Sequence, residues 1–95
     1  MRITVSLPRM LRVNVDGADR VYVEVVDGAD LGAVLDEVKA RHPVLERRLR
    51  DEQRSLRRYV NFYVDGEECR ALRGSDTVLT DGAEVQIIPS VAGGA

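Results

Sequence analysis

The stretch with the clearest chemical meaning is Pro89-Ser90-Val91-Ala92-Gly93-Gly94-Ala95, although its one polar side chain, the Ser90 hydroxyl, has no base beside it in sequence to activate it. It follows the apolar run Val85-Gln86-Ile87-Ile88. If that run is a strand fixed in a sheet, Ser90 to Gly94 can project about 16 Å, at roughly 3.3 Å per residue. The reactive group such a tail offers is a terminal carboxylate, carried on a backbone thin enough to enter a narrow cleft. That is the device of a carrier or a tag, and glycines suit it because even one Cβ can clash where a site closes around extended backbone.

The other candidates are weaker. Cys69 is the only cysteine, so it has no internal disulfide partner, and no Cys/His spacing points to a metal. It reads as a small packing residue rather than a sulfur relay, because no activating partner stands near it in sequence. His42 ends a helix or caps the next turn. No Ser/His/Asp or Cys/His arrangement is visible, which points away from an enzyme. Seven of the thirteen arginines fall between Arg41 and Arg58. Two readings of that cluster are open, a solvated face or a surface that docks against acidic partners.

A tail of this kind needs a body to hold it. Ninety-five residues suit one domain with one modest core. A net charge of -2 gives no global basic field, so no nucleic-acid partner is expected. The alternating start, Met1-Arg2-Ile3-Thr4-Val5-Ser6-Leu7, is not a signal peptide, and no apolar run approaches the roughly 18 residues of a membrane span. The expected setting is the cytoplasm, away from membranes.

Ile3, Val5 and Leu7 share one face of a first strand, which Pro8 interrupts. Leu11, Val13 and Val15 alternate again before Asp16-Gly17, a hairpin signal, and a second strand runs over about 20–26. Residues 11–15 read equally as paired strand or as loop. Asp30 then caps a helix of about eleven residues with Leu31, Val34, Leu35 and Val38 in one stripe. Pro43 opens a short second helical turn that turns Leu45 and Leu49 inward. After a charged connector, Val60, Phe62 and Val64 form a strand, Asp65-Gly66 a turn, and Glu67 to Arg70 a short strand. An irregular crossover over 74–80 packs Val78 and Leu79, and Asp81-Gly82 turns the chain into the last strand.

Two hairpins flanking one helix, with the first and last strands left to pair in the centre, describe an α+β protein of the β-grasp (ubiquitin-like) type. A mixed sheet of about five strands would pack on one main helix, giving a domain over 1–89 and a flexible carrier tail over 90–95. Thr4, Ser6, Tyr22, Glu24, Asn61, Tyr63, Gln86 and Ile88 then fall on the open face of the sheet. Tyr63 and Ile88 are its large apolar members, on neighbouring strands near the tail. They are the candidate partner-binding patch.

At this point the chain resembles the MoaD/ThiS family of ubiquitin-like sulfur carriers over nearly its whole length. The resemblance rests on Asp81-Gly82-Ala83-Glu84-Val85-Gln86-Ile87-Ile88-Pro89-Ser90-Val91-Ala92-Gly93-Gly94, on Asp30-Leu31-Gly32-Ala33-Val34-Leu35, and on Val60-Asn61-Phe62-Tyr63-Val64-Asp65-Gly66. The Arg-rich insertion and the ending look most like the CysO-type carriers of cysteine biosynthesis. The resemblance implies that Gly94 carries the sulfur. A ubiquitin-activating-enzyme-like adenylyltransferase would use ATP to adenylate the Gly94 carboxylate, with no cofactor bound by the carrier itself. A sulfur donor would then leave a thiocarboxylate for a sulfur-accepting synthase. Because carriers of this family end in Gly-Gly, Ala95 implies a precursor trimmed by a peptidase, plausibly a JAMM-type metalloprotease. Molybdopterin synthesis, thiamine or secondary-metabolite sulfur donation, a ubiquitin-like protein modifier, and a non-catalytic interaction module are the alternative readings.

Overall fold

The computed structural model describes residues 1–89. Five strands form one mixed sheet in the order β2-β1-β5-β3-β4. They are β1 (Arg2–Ser6), β2 (Arg20–Glu24), β3 (Val60–Val64), β4 (Glu67–Glu68) and β5 (Glu84–Pro89). Helix α1 (Leu31–Arg41) and the shorter α2 (Pro43–Leu49) cover one face. β1 runs antiparallel to β2 and parallel to β5, and β5 runs antiparallel to β3. The first and last strands therefore meet in the middle of the sheet, as the sequence pattern predicts.

The alternation in each strand explains which side is buried. Ile3, Val5, Val23, Phe62, Val85 and Ile87 all point to the helices and are shielded from water. They meet Leu31, Val34, Leu35 and Val38 of α1 and Leu45 and Leu49 of α2 in one cluster. Phe62 is the largest of the fully buried side chains, and burial of a group this size contributes about 2–3 kcal/mol. The ends of α1 follow the local rules. The Asp30 carboxylate accepts from the Ala33 amide at 2.9 Å. The His42 amide closes the last turn on Val38, while its carbonyl accepts from Glu46 to begin α2. Pro43 sits at the start of α2, where no amide proton is needed.

Three expectations need correction. Residues Arg9–Val15 form neither strand nor open loop but a 3-10 helix that buries Leu11 and Val15 and packs against α2. The alternation of Leu11, Val13 and Val15 mimics a strand, yet Val13 is 81% exposed, so the segment has no two-fold repeat in space. The strand expected over Glu67 to Arg70 ends at Glu68, and Cys69–Ala71 continues as a 3-10 turn. In the crossover Leu79 is buried but Val78 is 61% exposed. Backbone bonding explains the split: Leu79 donates to the Ala29 carbonyl and the segment runs beside Asp30, which turns Val78 outward.

Candidate functional site

The site is built on β5, and β5 is set by what precedes it. Asp81-Gly82 makes the turn because Gly82 adopts φ +83°, a left-handed backbone that side chains disfavour. The turn is tied to the first strand: the Arg2 amide donates to the Asp81 carboxylate at 2.9 Å and the Gly82 amide to the Arg2 carbonyl at 3.0 Å. On the other side Asp65 clasps Glu84, since the Glu84 amide donates to the Asp65 carboxylate and the Asp65 amide to the Glu84 carbonyl, both at 2.9 Å. Asp65 and Gly66 both have positive φ, the geometry of a tight two-residue hairpin between β3 and β4. Both Asp-Gly pairs thus fix the start of the central strand.

The far end of β5 is held differently. Its ladder with β1 covers Glu84, Val85 and Gln86, opposite Thr4, Val5 and Ser6. Its ladder with β3 continues through Ile87, Ile88 and Pro89, opposite Phe62, Asn61 and Val60. Pro89, the last described residue, still pairs with Val60, although its ring nitrogen has no proton to give to the ladder. The expected carrier residues Ser90, Val91, Ala92, Gly93 and Gly94, and the expected processing residue Ala95, lie outside the described residues.

Tyr63 and Ile88 fall where the pattern predicts, on the open face and on adjacent strands. Tyr63 stands opposite Gln86, and Ile88 is two residues further along β5, so the two are diagonal neighbours. Ile88 is exposed and Tyr63 half-buried. Arg70 fixes the strand beneath them by donating to the Asn61 side chain and to the Arg57 and Val60 carbonyls.

Cys69 is completely buried in the core cluster. Burial first, and the neighbouring Glu68 charge second, push its thiol above the usual range, so it is a protonated, poor nucleophile near neutral pH. Among the described residues no group of three or more His, Cys, Asp or Glu is placed to hold a metal. No helix among them is long and apolar enough to cross a membrane. The arginine cluster divides in a way that neither open reading anticipates. Arg50 is buried, donating to Glu46 and to Asp36 at 2.8 Å each, and Arg54 reaches Asp36 at 2.6 Å. The i, i+4 spacing of Glu46 and Arg50 was the available signal for that buried pair. Not legible was an open groove of about 900 Å³ on the helix side of Pro89, which residues far apart in sequence create together.

A mixed five-stranded sheet with parallel central strands, grasping one main helix, is the β-grasp architecture of ubiquitin-like proteins. Residues 11–94 match the model of the ThiS family, and the chain belongs to that family. It is 38% identical over 96 residues to the sulfur carrier protein CysO of Mycobacterium tuberculosis, covering 99% of this chain and 100% of that protein. It is 35% identical over 95 residues to the molybdopterin synthase sulfur carrier subunit of the same organism, covering 90% and 100%. Among solved structures it is similar to the Amycolatopsis orientalis BexX/CysO complex, with a TM-score of 0.81, 34% identity, and 95% and 97% of the two chains covered.

Proposed function

We propose that this protein is a sulfur carrier of the CysO type that serves cysteine synthesis in the cytoplasm. The observation that carries the reading is the placement of β5: a central strand, bonded on both sides, that is described as far as Pro89, the residue before Ser90-Val91-Ala92-Gly93-Gly94 in the sequence. The full-length likeness to CysO supports it. The protein acts as a co-substrate rather than as a catalyst. A peptidase of the JAMM metalloprotease type removes Ala95. An adenylyltransferase then directs an oxygen of the Gly94 carboxylate to the α-phosphorus of ATP and releases pyrophosphate. Sulfide sulfur next attacks the acyl carbon and AMP departs with its oxygen, leaving a thiocarboxylate. That soft nucleophile displaces a leaving group on the substrate of the accepting synthase to form a thioester. Hydrolysis, either of the thioester or of the amide left when the acyl group shifts from sulfur to a neighbouring substrate amine and frees the thiol, returns the carboxylate. Residues 90–94 act as the arm and the β-grasp domain as its holder.

Intact mass spectrometry tests this directly. The full chain, incubated with the cognate peptidase, adenylyltransferase, ATP and sulfide, should lose one alanine and then gain the mass of one sulfur-for-oxygen exchange. Cys69→Ala should undergo the same exchange, and Gly94→Pro should not. Exchange on a chain that keeps Ala95 would refute the trimming step, and high-mass lysine adducts in place of the exchange would establish the modifier reading instead.

A further inference from the structure

The groove beside Pro89 combines two features that the carrier chemistry does not use. The first is apolar. Met10 is 64% exposed, Val13 81%, Val44 58% and Tyr59 62%, and all four line this one groove. They come from the 3-10 helix, from the first turn of α2 and from the approach to β3. Single exposed apolar side chains are ordinary on protein surfaces, whereas a set that converges on one concavity is the usual mark of a binding surface.

The second feature is charge. Arg47, Arg48 and Arg57 line the same groove, and no Asp or Glu does. Arg50 and Arg54, from the same stretch of sequence, are neutralised within the fold by Glu46 and Asp36. Among the described residues Arg47, Arg48 and Arg57 make no ion pair. Within this segment Arg50 and Arg54 tie the two helices together, whereas Arg47, Arg48 and Arg57 stand at the mouth of an apolar groove, Arg57 donating from Nε to the Arg47 carbonyl at 2.7 Å. The complementary occupant is an apolar side chain flanked by carboxylates. Its approach would be steered by charge before the apolar contact forms.

Position gives the occupant a source. Pro89, the residue before Ser90 in the chain, lines the groove, so the groove adjoins the last described residue. The arm's small residues carry little information by which one carrier is told from another. An enzyme that accepts sulfur from it must therefore identify this carrier from the surface around the arm's root. Resting on the carrier reading above, we propose that the groove is the docking site of the sulfur-accepting synthase, and that it receives an apolar side chain set among Asp or Glu residues on that enzyme's surface. This surface lies on the helix side of β5, across the sheet from Tyr63 and Ile88.

The test uses the full chain and the cognate synthase. Val13→Asp/Val44→Asp and Arg47→Glu/Arg48→Glu change exposed positions, and circular dichroism and thermal unfolding check that both variants fold. Thiocarboxylate formation is measured first, by intact mass, and should proceed at the wild-type rate in both. Affinity for the synthase, by calorimetry at low and high salt, should fall at least tenfold in both, and the salt dependence should flatten in the arginine variant. In sulfur transfer KM should rise while kcat is retained. Folded variants with unchanged affinity would overturn the groove and leave the carrier reading standing. Loss of thiocarboxylate formation in the variants alone would assign the groove to the activating enzyme and overturn the proposal. So would a wild-type dimer in sedimentation that Val13→Asp dissociates, or a Val91→Ser change that shifts the groove amides without any partner present. If wild type itself forms no thiocarboxylate, the carrier reading fails at that first measurement and takes the docking proposal with it.

Discussion

Arg50 shows how one side chain decides the position of an element. Its guanidinium is almost fully buried, bonded to Glu46 within α2 and to Asp36 on α1, with Arg54 sharing Asp36 from outside. A buried ion pair adds little net stability over apolar residues of the same shape, but removing one partner strands a charge at a cost of about 3–5 kcal/mol. Arg50→Ala leaves the Glu46 carboxylate in that position. It should lower the unfolding free energy by about 3 kcal/mol in urea titration, whereas Glu46→Leu/Arg50→Met should cost clearly less. Asp36 adds a pH dependence. Burial acts to raise its pKa, but hydrogen bonds and charge from Arg50 and Arg54 outweigh it and hold the carboxyl below the usual range. A depressed folded-state pKa stabilises the fold fully above the unfolded value of about 3.9, and that contribution is lost as the pH falls through the lowered value. Unfolding titrations from about pH 6 to about pH 2, spanning the unfolded value, should show a smaller acid loss in Asp36→Asn than in wild type. The half-exposed side chain of Asp36 keeps this effect modest, because solvent screens it.

At the scale of elements, the parts most legible in the sequence were those in which one local rule acts alone. Asp30 capping α1, Pro43 opening α2 and the Asp65-Gly66 hairpin each follow from residue type and backbone geometry. Gly66, at φ +91° with open space where a Cβ would stand, isolates the backbone cost. Gly66→Ala should therefore destabilise the fold by about 1–2 kcal/mol without disturbing packing, measured as a lower urea midpoint at unchanged slope. Legibility failed where packing overrides pattern. The alternation of Leu11, Val13 and Val15 is compatible with a strand, but Leu11 and Val15 are used to close the core against α2, and a 3-10 helix buries them while leaving Val13 outside. Val78 has the residue type of a core position, yet the bonding of Leu79 to Ala29 turns it to solvent. The buried Glu46 and Arg50 were masked by the charge of the segment around them, which reads as a solvent-facing run.

The whole molecule places two apolar surfaces on opposite sides of one strand end. Alternation along β5 sends Ile87 to the helix side, where it lines the groove, and Ile88 to the open face beside Tyr63. The open-face pair was legible from sequence because period two is a rule of strands. The groove was not, because it joins the 3-10 helix, α2 and β3 across tens of residues. On the proposed carrier reading, Tyr63→Ala/Ile88→Ser should weaken binding to the adenylyltransferase that the reading requires by roughly tenfold or more while leaving thermal unfolding close to wild type. Unchanged affinity would remove the open face from the recognition surface.

The ladders of β5 also have a mechanical consequence. On the carrier reading proposed above, an enzyme that drew residues 90–94 into a cleft would pull on the C-terminal end of the central strand. A pull along the strand axis would load the β3 ladder over Val85 to Pro89 in shear, with the β1 ladder joining it over Glu84 to Gln86, so the bonds would share the force and need not yield one after another. A hinge or an edge strand at this position would peel open from its end. The β-grasp domain can thus act as a stiff handle, and the work of drawing the arm in is spent on the arm and not on unravelling its anchor.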